Sequence, residues 1–257
     1  MNFSLYDWRT RLKVSCIHLL ISVSFIGTLA LFVFGFWYPH PFNVLPGGRE
    51  IFLLMIACDV VLGPLIMFIV FNKKKSKSEL RLDVIFIIIF QLLALGYGVW
   101  SVFVSRPIYI VFERDSYRVV RSVDIPLQNF SKRPLEYSSF PVTGPTLLSL
   151  REFSSTKEQM NTTFLELEGL PMSAQPEFWQ EYSKSKNRIL KSGKSIDKLI
   201  YIFPEYKEKI QSVIEKSKSL KTDLLYFPFV DRENYWTVLV NKDSLELIAY
   251  LPIDSYR

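Results

Sequence analysis

Apolar and polar positions divide this chain into two unlike parts. Residues 15–38, 51–71 and 84–104 are near-continuous apolar runs of 24, 21 and 21 residues. At about 1.5 Å per helical residue, each can cross a hydrocarbon core of about 30 Å. From residue 106 the pattern changes to short β-branched and aromatic segments. Arg106-Pro107-Ile108-Tyr109-Ile110-Val111-Phe112 predicts a strand, followed by a polar turn over 113–116 and a second strand over 117–120. Residues 146–153 predict a third. Ser154 and Ser155 offer N-caps for a helix over 156–168 that Gly169 would end. Two lysine-rich segments have helical spacing: Phe178, Tyr182 and Ile189 within 176–192, and Tyr206, Ile210 and Ile214 within 204–219. Residues 226–230, 235–240 and 245–251 predict a closing antiparallel meander, with Asn241-Lys242-Asp243-Ser244 as a hairpin turn. The pattern predicts a membrane region of three transmembrane helices over 1–105. An α+β extracytoplasmic domain with an antiparallel sheet follows over 106–257.

Charge orients this arrangement. Arg9, Arg11 and Lys13 precede the first run, and Lys73, Lys74, Lys75, Lys77 and Arg81 lie between the second and third, against Arg49 alone between the first and second. The bias predicts a cytoplasmic N-terminus and 72–81 loop, with the C-terminal domain on the far side. Trp37, Tyr38 and Trp100 then fall near outer boundaries, where interfacial aromatics gather. A mean hydropathy of +0.17 conceals the division because it averages both parts. The net charge of +6 comes from membrane flanks and lysine-rich helical segments, which is no signature of a nucleic-acid surface. The first run is too long for a signal-peptide core, and Phe36-Trp37-Tyr38-Pro39 offers no small-residue cleavage site, so it is expected to remain in the mature protein.

Candidate chemistry is sparse. Cys16 and Cys58 lie in predicted membrane helices and the C-terminal part has no cysteine, so no disulfide is expected there. It has no histidine either, which excludes Ser-His-Asp and Cys-His nucleophile arrangements; no enzymatic activity is expected. His18 and His40 form no Cys/His cluster, and neither a metal nor another cofactor is expected. Ser192-Gly193-Lys194-Ser195 has the tail of a phosphate loop without its first glycine, since Arg188 occupies that place. The exception is Asp59, in Asp59-Val60-Val61-Leu62-Gly63-Pro64. A carboxylate inside a membrane helix costs roughly 2.5 kcal/mol or more and needs a polar partner, within the protein or on a foreign helix. Pro64 would kink the helix, and the small Gly63 could either shape the bundle or leave a groove for another helix. Trp179 and Tyr182, among the aromatics of 178–206, are candidates for a protein-binding patch as well as for core filling.

The layout and several strings resemble the type IV pilin accessory proteins, the TfpX/TfpZ group. These strings are Asp59-Val60-Val61-Leu62-Gly63-Pro64, Arg106 through Glu113, Gly144-Pro145-Thr146, Tyr235-Trp236-Thr237-Val238-Leu239-Val240, and Tyr250-Leu251-Pro252-Ile253-Asp254-Ser255. The resemblance covers nearly the full length and is weakest over 170–220. It implies a multi-pass inner-membrane protein of Gram-negative bacteria. It also implies a non-enzymatic, chaperone-like factor that helps a cognate major pilin enter the pilus. The expected partners are that pilin, the lipid bilayer and other pilus assembly proteins, with no nucleic acid and no small-molecule substrate. Since such pilins carry an acidic residue near the start of an apolar N-terminal helix, Asp59 is expected to face the pilin's N-terminal amine or backbone. The alternative is a membrane sensor or signalling subunit with a periplasmic ligand-binding domain; the lack of a sizeable cytoplasmic segment weighs against it.

Overall fold

The computed structural model describes residues 5–45, 48–72, 75–217 and 219–256, without the side chains of residues 5–7. Lys73 and Lys74, counted in the charge bias, lie outside the described residues. The chain forms two compact units, Met1–Arg106 and Pro107–Arg257.

The first unit is helical. Helix α1 (Leu5–Phe32) runs into a π-helical turn, Val33–Trp37. Helix α2 (Gly48–Ile56) is joined to α3 (Gly63–Val70) through a second π-helical turn, Ala57–Leu62; α4 spans Lys77–Val104. Three continuous helices result, Trp8–Trp37, Gly48–Val70 and Lys77–Val104, each long and apolar enough to cross a membrane. All begin before the apolar runs. The third begins at Lys77 because Ser76 caps it: the Ser76 hydroxyl accepts from the Glu79 amide (3.2 Å), and the Glu79 carboxylate accepts from the Ser76 amide (2.9 Å). Inside the unit, the Tyr38 hydroxyl donates to the Val102 carbonyl (3.0 Å). A Cβ at Gly48 would lie 2.2 Å from the Tyr38 ring, so only glycine lets α2 start there. Leu20, Phe86, Phe90 and Leu93 point outward and are exposed, so the apolar surface encircles the helices.

The second unit is built on one eight-stranded sheet among the described residues, which is mixed rather than wholly antiparallel. Strands β1 (Pro107–Glu113) and β2 (Ser116–Arg121) form the expected hairpin. Strand β3 (Thr146–Leu150) lies parallel to β1, and helix α5 (Thr156–Leu167) follows, capped by Ser155 and ended at Gly169 in the left-handed region (φ +94°). Strand β4 (Trp179–Glu181) pairs with β3, at the edge of the sheet; it interrupts the helix expected over 176–192, which is reduced to α6 (Lys186–Ser192). The residues resembling a phosphate loop become β5 (Lys194–Ser195) and the N-cap of α7 (Ile196–Ile202), and the next helix is α8 (Lys207–Ser217). The meander β6 (Leu224–Asp231), β7 (Asn234–Asn241) and β8 (Leu247–Leu251) closes the chain, with the strand order β4-β3-β1-β2-β6-β7-β8.

Two parallel pairings, β1 with β3 and β2 with β6, account for the correction. Every residue of β1 and β6 is buried, as is usual for parallel strands covered on both faces. Along one side of β6 the partner changes from β5, at Leu225 and Tyr226, to β2, at Phe229 and Val230. Pro228, which has no amide hydrogen to give, sits between the two pairings. The β2–β6 junction is locked by Arg121 and Asp231, 2% and 1% exposed, through paired bonds of 2.5 and 2.8 Å. One apolar cluster gathers Ile108, Val111, Val120, Leu148, Phe178 and Trp179; another gathers Leu199, Ile210, Tyr226, Leu239 and Leu251.

Candidate functional site

Asp59 sits within the π-helical turn of the second long helix and is 6% exposed. A wider π turn displaces side chains from the ordinary helical rows and often marks a functional site. Here it directly precedes Gly63-Pro64, where proline cannot supply an amide hydrogen and the helix must adjust locally. Pro64 is buried, and its carbonyl accepts a 2.7 Å hydrogen bond from the Ser15 hydroxyl of α1. Nearer the end of α3, Arg11 Nη1 donates to the Ile69 carbonyl at 3.4 Å. These contacts tie the first two long helices together along one side of Asp59.

Gly63 has a definite packing role. A Cβ there would lie 1.9 Å from Gln91 Nε2 and 2.9 Å from His18 Nε2. The space beside the glycine is therefore filled by this chain's own side chains, one from α1 and one from α4, rather than left as a groove. All three long helices meet at this point.

Asp59 itself faces a cleft of about 310 Å³ lined by His18, Ile21 and Phe25 of α1 and by Gln91 and Leu92 of α4. Ile21, Phe25 and Leu92 are 65%, 56% and 60% exposed, so the cleft opens to the outside of the bundle between α1 and α4. At its floor Asp59 Oδ2 is buried without a hydrogen-bond partner, and so is His18 Nε2. A buried acceptor left unmade costs about 1–3 kcal/mol, more when charged. The cleft thus combines apolar walls, a lateral opening and an unused acceptor. It can receive an apolar segment that brings a donor. Among the described residues no group of three His, Cys, Asp or Glu side chains is placed to hold a metal.

Trp179 and Tyr182 are placed differently. Trp179 is 3% exposed, packs edge-on against Tyr109 at 4.8 Å, and donates its indole hydrogen to the Ser173 carbonyl (2.8 Å). It is a core residue, not a surface contact. Tyr182 is half-buried and donates to the Leu245 carbonyl (3.1 Å), which leaves its oxygen to accept from Tyr117 (2.5 Å). Burial pushes Tyr182 up to about 12 and raises Tyr117 as well, so both hydroxyls stay protonated and structural. Of the neighbouring aromatics Tyr201 is the exposed one, at 86%. Sequence reasoning singled out Asp59, Gly63 and Pro64 but missed Ser15, His18 and Gln91 as their neighbours. The signal was present: His18 and Gln91 are polar residues well inside apolar helices, where such residues are few and need partners.

Comparison with known proteins bears on the whole chain. The family model described as fimbrial assembly protein FimB matches residues 6–47. The fimbrial assembly protein of serogroup I from Dichelobacter nodosus is 29% identical over 247 residues, covering 95% of this chain and 96% of the relative. The fimbrial assembly protein of serogroups C1 and C2 from the same organism is 39% identical over 115 residues, covering 45% of this chain and 88% of the relative. The chain belongs to the fimbrial assembly protein family. Within this family the 6–47 match takes in Ser15 and His18, which meet the second helix at Pro64 and Gly63. No solved structure matches the chain.

Proposed function

We propose that this chain is a membrane-embedded, non-enzymatic accessory factor of type IV pilus assembly, of the TfpX/TfpZ kind, which holds a cognate major pilin in the inner membrane before it enters the pilus. The observation that carries the reading is Asp59, buried beside His18 at the floor of a cleft that opens sideways, with its Oδ2 accepting no hydrogen bond. In a bilayer that opening faces lipid, so the natural guest is another apolar helix, and the carboxylate rewards one that brings a donor such as a backbone or terminal amine. The all-round apolar surface of the three long helices supports insertion, because an exposed surface of that kind is stable in lipid and not in water. Family membership supports the link to fimbriae. Gly63 and Pro64 act within the bundle, setting the cleft rather than touching the guest.

The test is photocrosslinking in living cells from residues in the cleft walls. A crosslinker at Ile21 or Leu92 should capture the major pilin, whereas one at the outward-facing Leu54 should not. Loss of pili on gene deletion with no pilin adduct from either cleft position would refute the cleft as the holding site. Orientation is tested separately. A phosphatase reporter joined after Arg257 should be active and one within 75–81 silent.

A further inference from the structure

We infer that the C-terminal unit carries a binding site for a single protein-borne carboxylate, between β2 and the tip of the β6–β7 hairpin. A cavity of about 270 Å³ lies there, lined among others by Arg118, Asp124, Pro171, Ser173 and Arg232. Two guanidinium groups border it. Arg118 Nε is 3.4 Å from Glu113 Oε2, and Arg232 Nη2 is 3.6 Å from Asp124 Oδ1. Both separations exceed the 2.7–2.9 Å of a charge-assisted hydrogen bond. Arg118 Nε is buried without a hydrogen-bond partner. The two forks thus keep most of their donors for a ligand. Bidentate recognition of a carboxylate is what such planar forks do best.

A third group completes the site. Ser173 is wholly buried and its Oγ has no partner. Its backbone is fixed from both sides, the amide donating to Glu113 Oε2 (3.3 Å) and the carbonyl accepting from Trp179 Nε1 (2.8 Å). Ser173 lines the cavity, so an entering ligand that displaces the atoms covering it gains a hydroxyl held at a rigid position. The backbone of Arg232 adds to this. Its φ of +55° is a conformation that Gly, Asn or Asp adopts more easily in a hairpin tip. At the β1–β2 tip Arg114 has the same geometry (φ +57°) but bonds Glu166 at 2.7 Å, whereas Arg232 has, among the described residues, only its long contact to Asp124.

Charge selects the ligand class. Glu113 and Asp124 already offset the two arginines, so every further negative charge is uncompensated, and the pocket takes the single charge of a carboxylate more readily than the two of a phosphate dianion. The apolar contribution of Pro171, Val119 and Ala174 suits the short chain that carries a carboxylate in a peptide. The cavity has room for a chain terminus or an acidic side chain.

Binding of labelled peptides to the full-length protein in nanodiscs tests this. Three peptides of one otherwise uncharged sequence are compared: one with a free C-terminal carboxylate, one amidated, and one amidated with an internal glutamate. At least one carboxylate peptide should bind, and the pattern tells a chain terminus from a side chain; the acid-free amidated peptide should not. Arg232→Gln should weaken binding about tenfold or more, as expected for one lost charge-assisted hydrogen bond. Ser173→Ala should weaken it severalfold, and Arg151→Gln, whose arginine pairs with Glu158 away from the pocket, should leave it unchanged. Acetate should compete better than inorganic phosphate at equal ionic strength. Equal binding of the acid-free peptide, indifference to Arg232→Gln, or phosphate competing as well as acetate would overturn the assignment.

Discussion

Replacing Asp59 by leucine separates function from folding more sharply than any other change in the helical unit. Asp59 lies 11 residues from both Gly48 and Val70, at the centre of the second long helix. At that depth aspartate opposes insertion by roughly 2.5–3.5 kcal/mol and leucine favours it by roughly 0.5, so the substitution favours the inserted helix by about 3–4 kcal/mol. Little is lost in exchange, because Oδ2 accepts no hydrogen bond and the side chain is already 6% exposed. The variant should therefore accumulate to wild-type levels or above and melt no lower in detergent. Sheared surface pili should nevertheless fall severalfold, because the guest helix finds no acceptor. Asp59→Asn keeps an acceptor without the charge, so it should retain intermediate piliation if hydrogen bonding dominates. A drop in the abundance of the leucine variant would mean that Asp59 has a structural partner within the bundle. Normal pili would remove Asp59 from the mechanism altogether.

At the Gly63 junction an alanine Cβ already overlaps the side-chain ends of Gln91 and His18, so both must shift, and leucine should cost more than alanine, about 1–3 kcal/mol, read as a lowered melting temperature of the purified protein. In the sheet, Asp231→Ala leaves Arg121 charged and buried and should destabilise the C-terminal unit by about 3–5 kcal/mol in urea pulse proteolysis; Arg121→Met combined with Asp231→Leu should recover much of the loss. Hydrogen bonds from Arg151 and the Ser154 amide hold the Glu158 carboxyl down at about 2, below its ordinary 4.5. Its contribution to the start of α5 is therefore complete above about pH 4.5 and lost as pH falls toward about 2. Hydrogen exchange corrected for intrinsic rates should show α5 loosening between pH 6 and pH 3, and Glu158→Gln should abolish that component.

Elements set by local chemistry were legible in the sequence. The three apolar runs, the Ser155-to-Gly169 limits of α5 and the turn at Asn241, whose side chain accepts from the amides of Asp243 and Ser244, all depend on near neighbours. The helix starts were less so, since the Ser76–Glu79 box carries α4 through polar residues that apolarity alone leaves out. Strand partnership was not legible. Nothing between residues 121 and 224 announces that β2 will lie parallel to β6, although the unbroken burial of β1 and β6 matches their unalternating apolar sequence. Helical spacing misled at 176–192, where Trp179 joins the core through a strand against β3. Within the site, Asp59 was visible because a carboxylate is costly in an apolar run. His18 and Gln91 are cheaper, and only their convergence on Gly63 reveals their part.

The distance along the chain between Arg121 and Asp231, 110 residues, has a consequence for biogenesis. At roughly 5–20 residues per second, the first hairpin leaves the ribosome roughly 5–20 s before the strand that covers its flank and neutralises its arginine. During that interval β2 has an open edge, the state in which nascent strands pair with the wrong neighbour. A premature stop between the end of β2 and the end of β6 strands this intermediate permanently. Nascent chains arrested within that span should therefore be degraded at a common rate wherever the arrest falls, and chains that run past β7 should abruptly become long-lived.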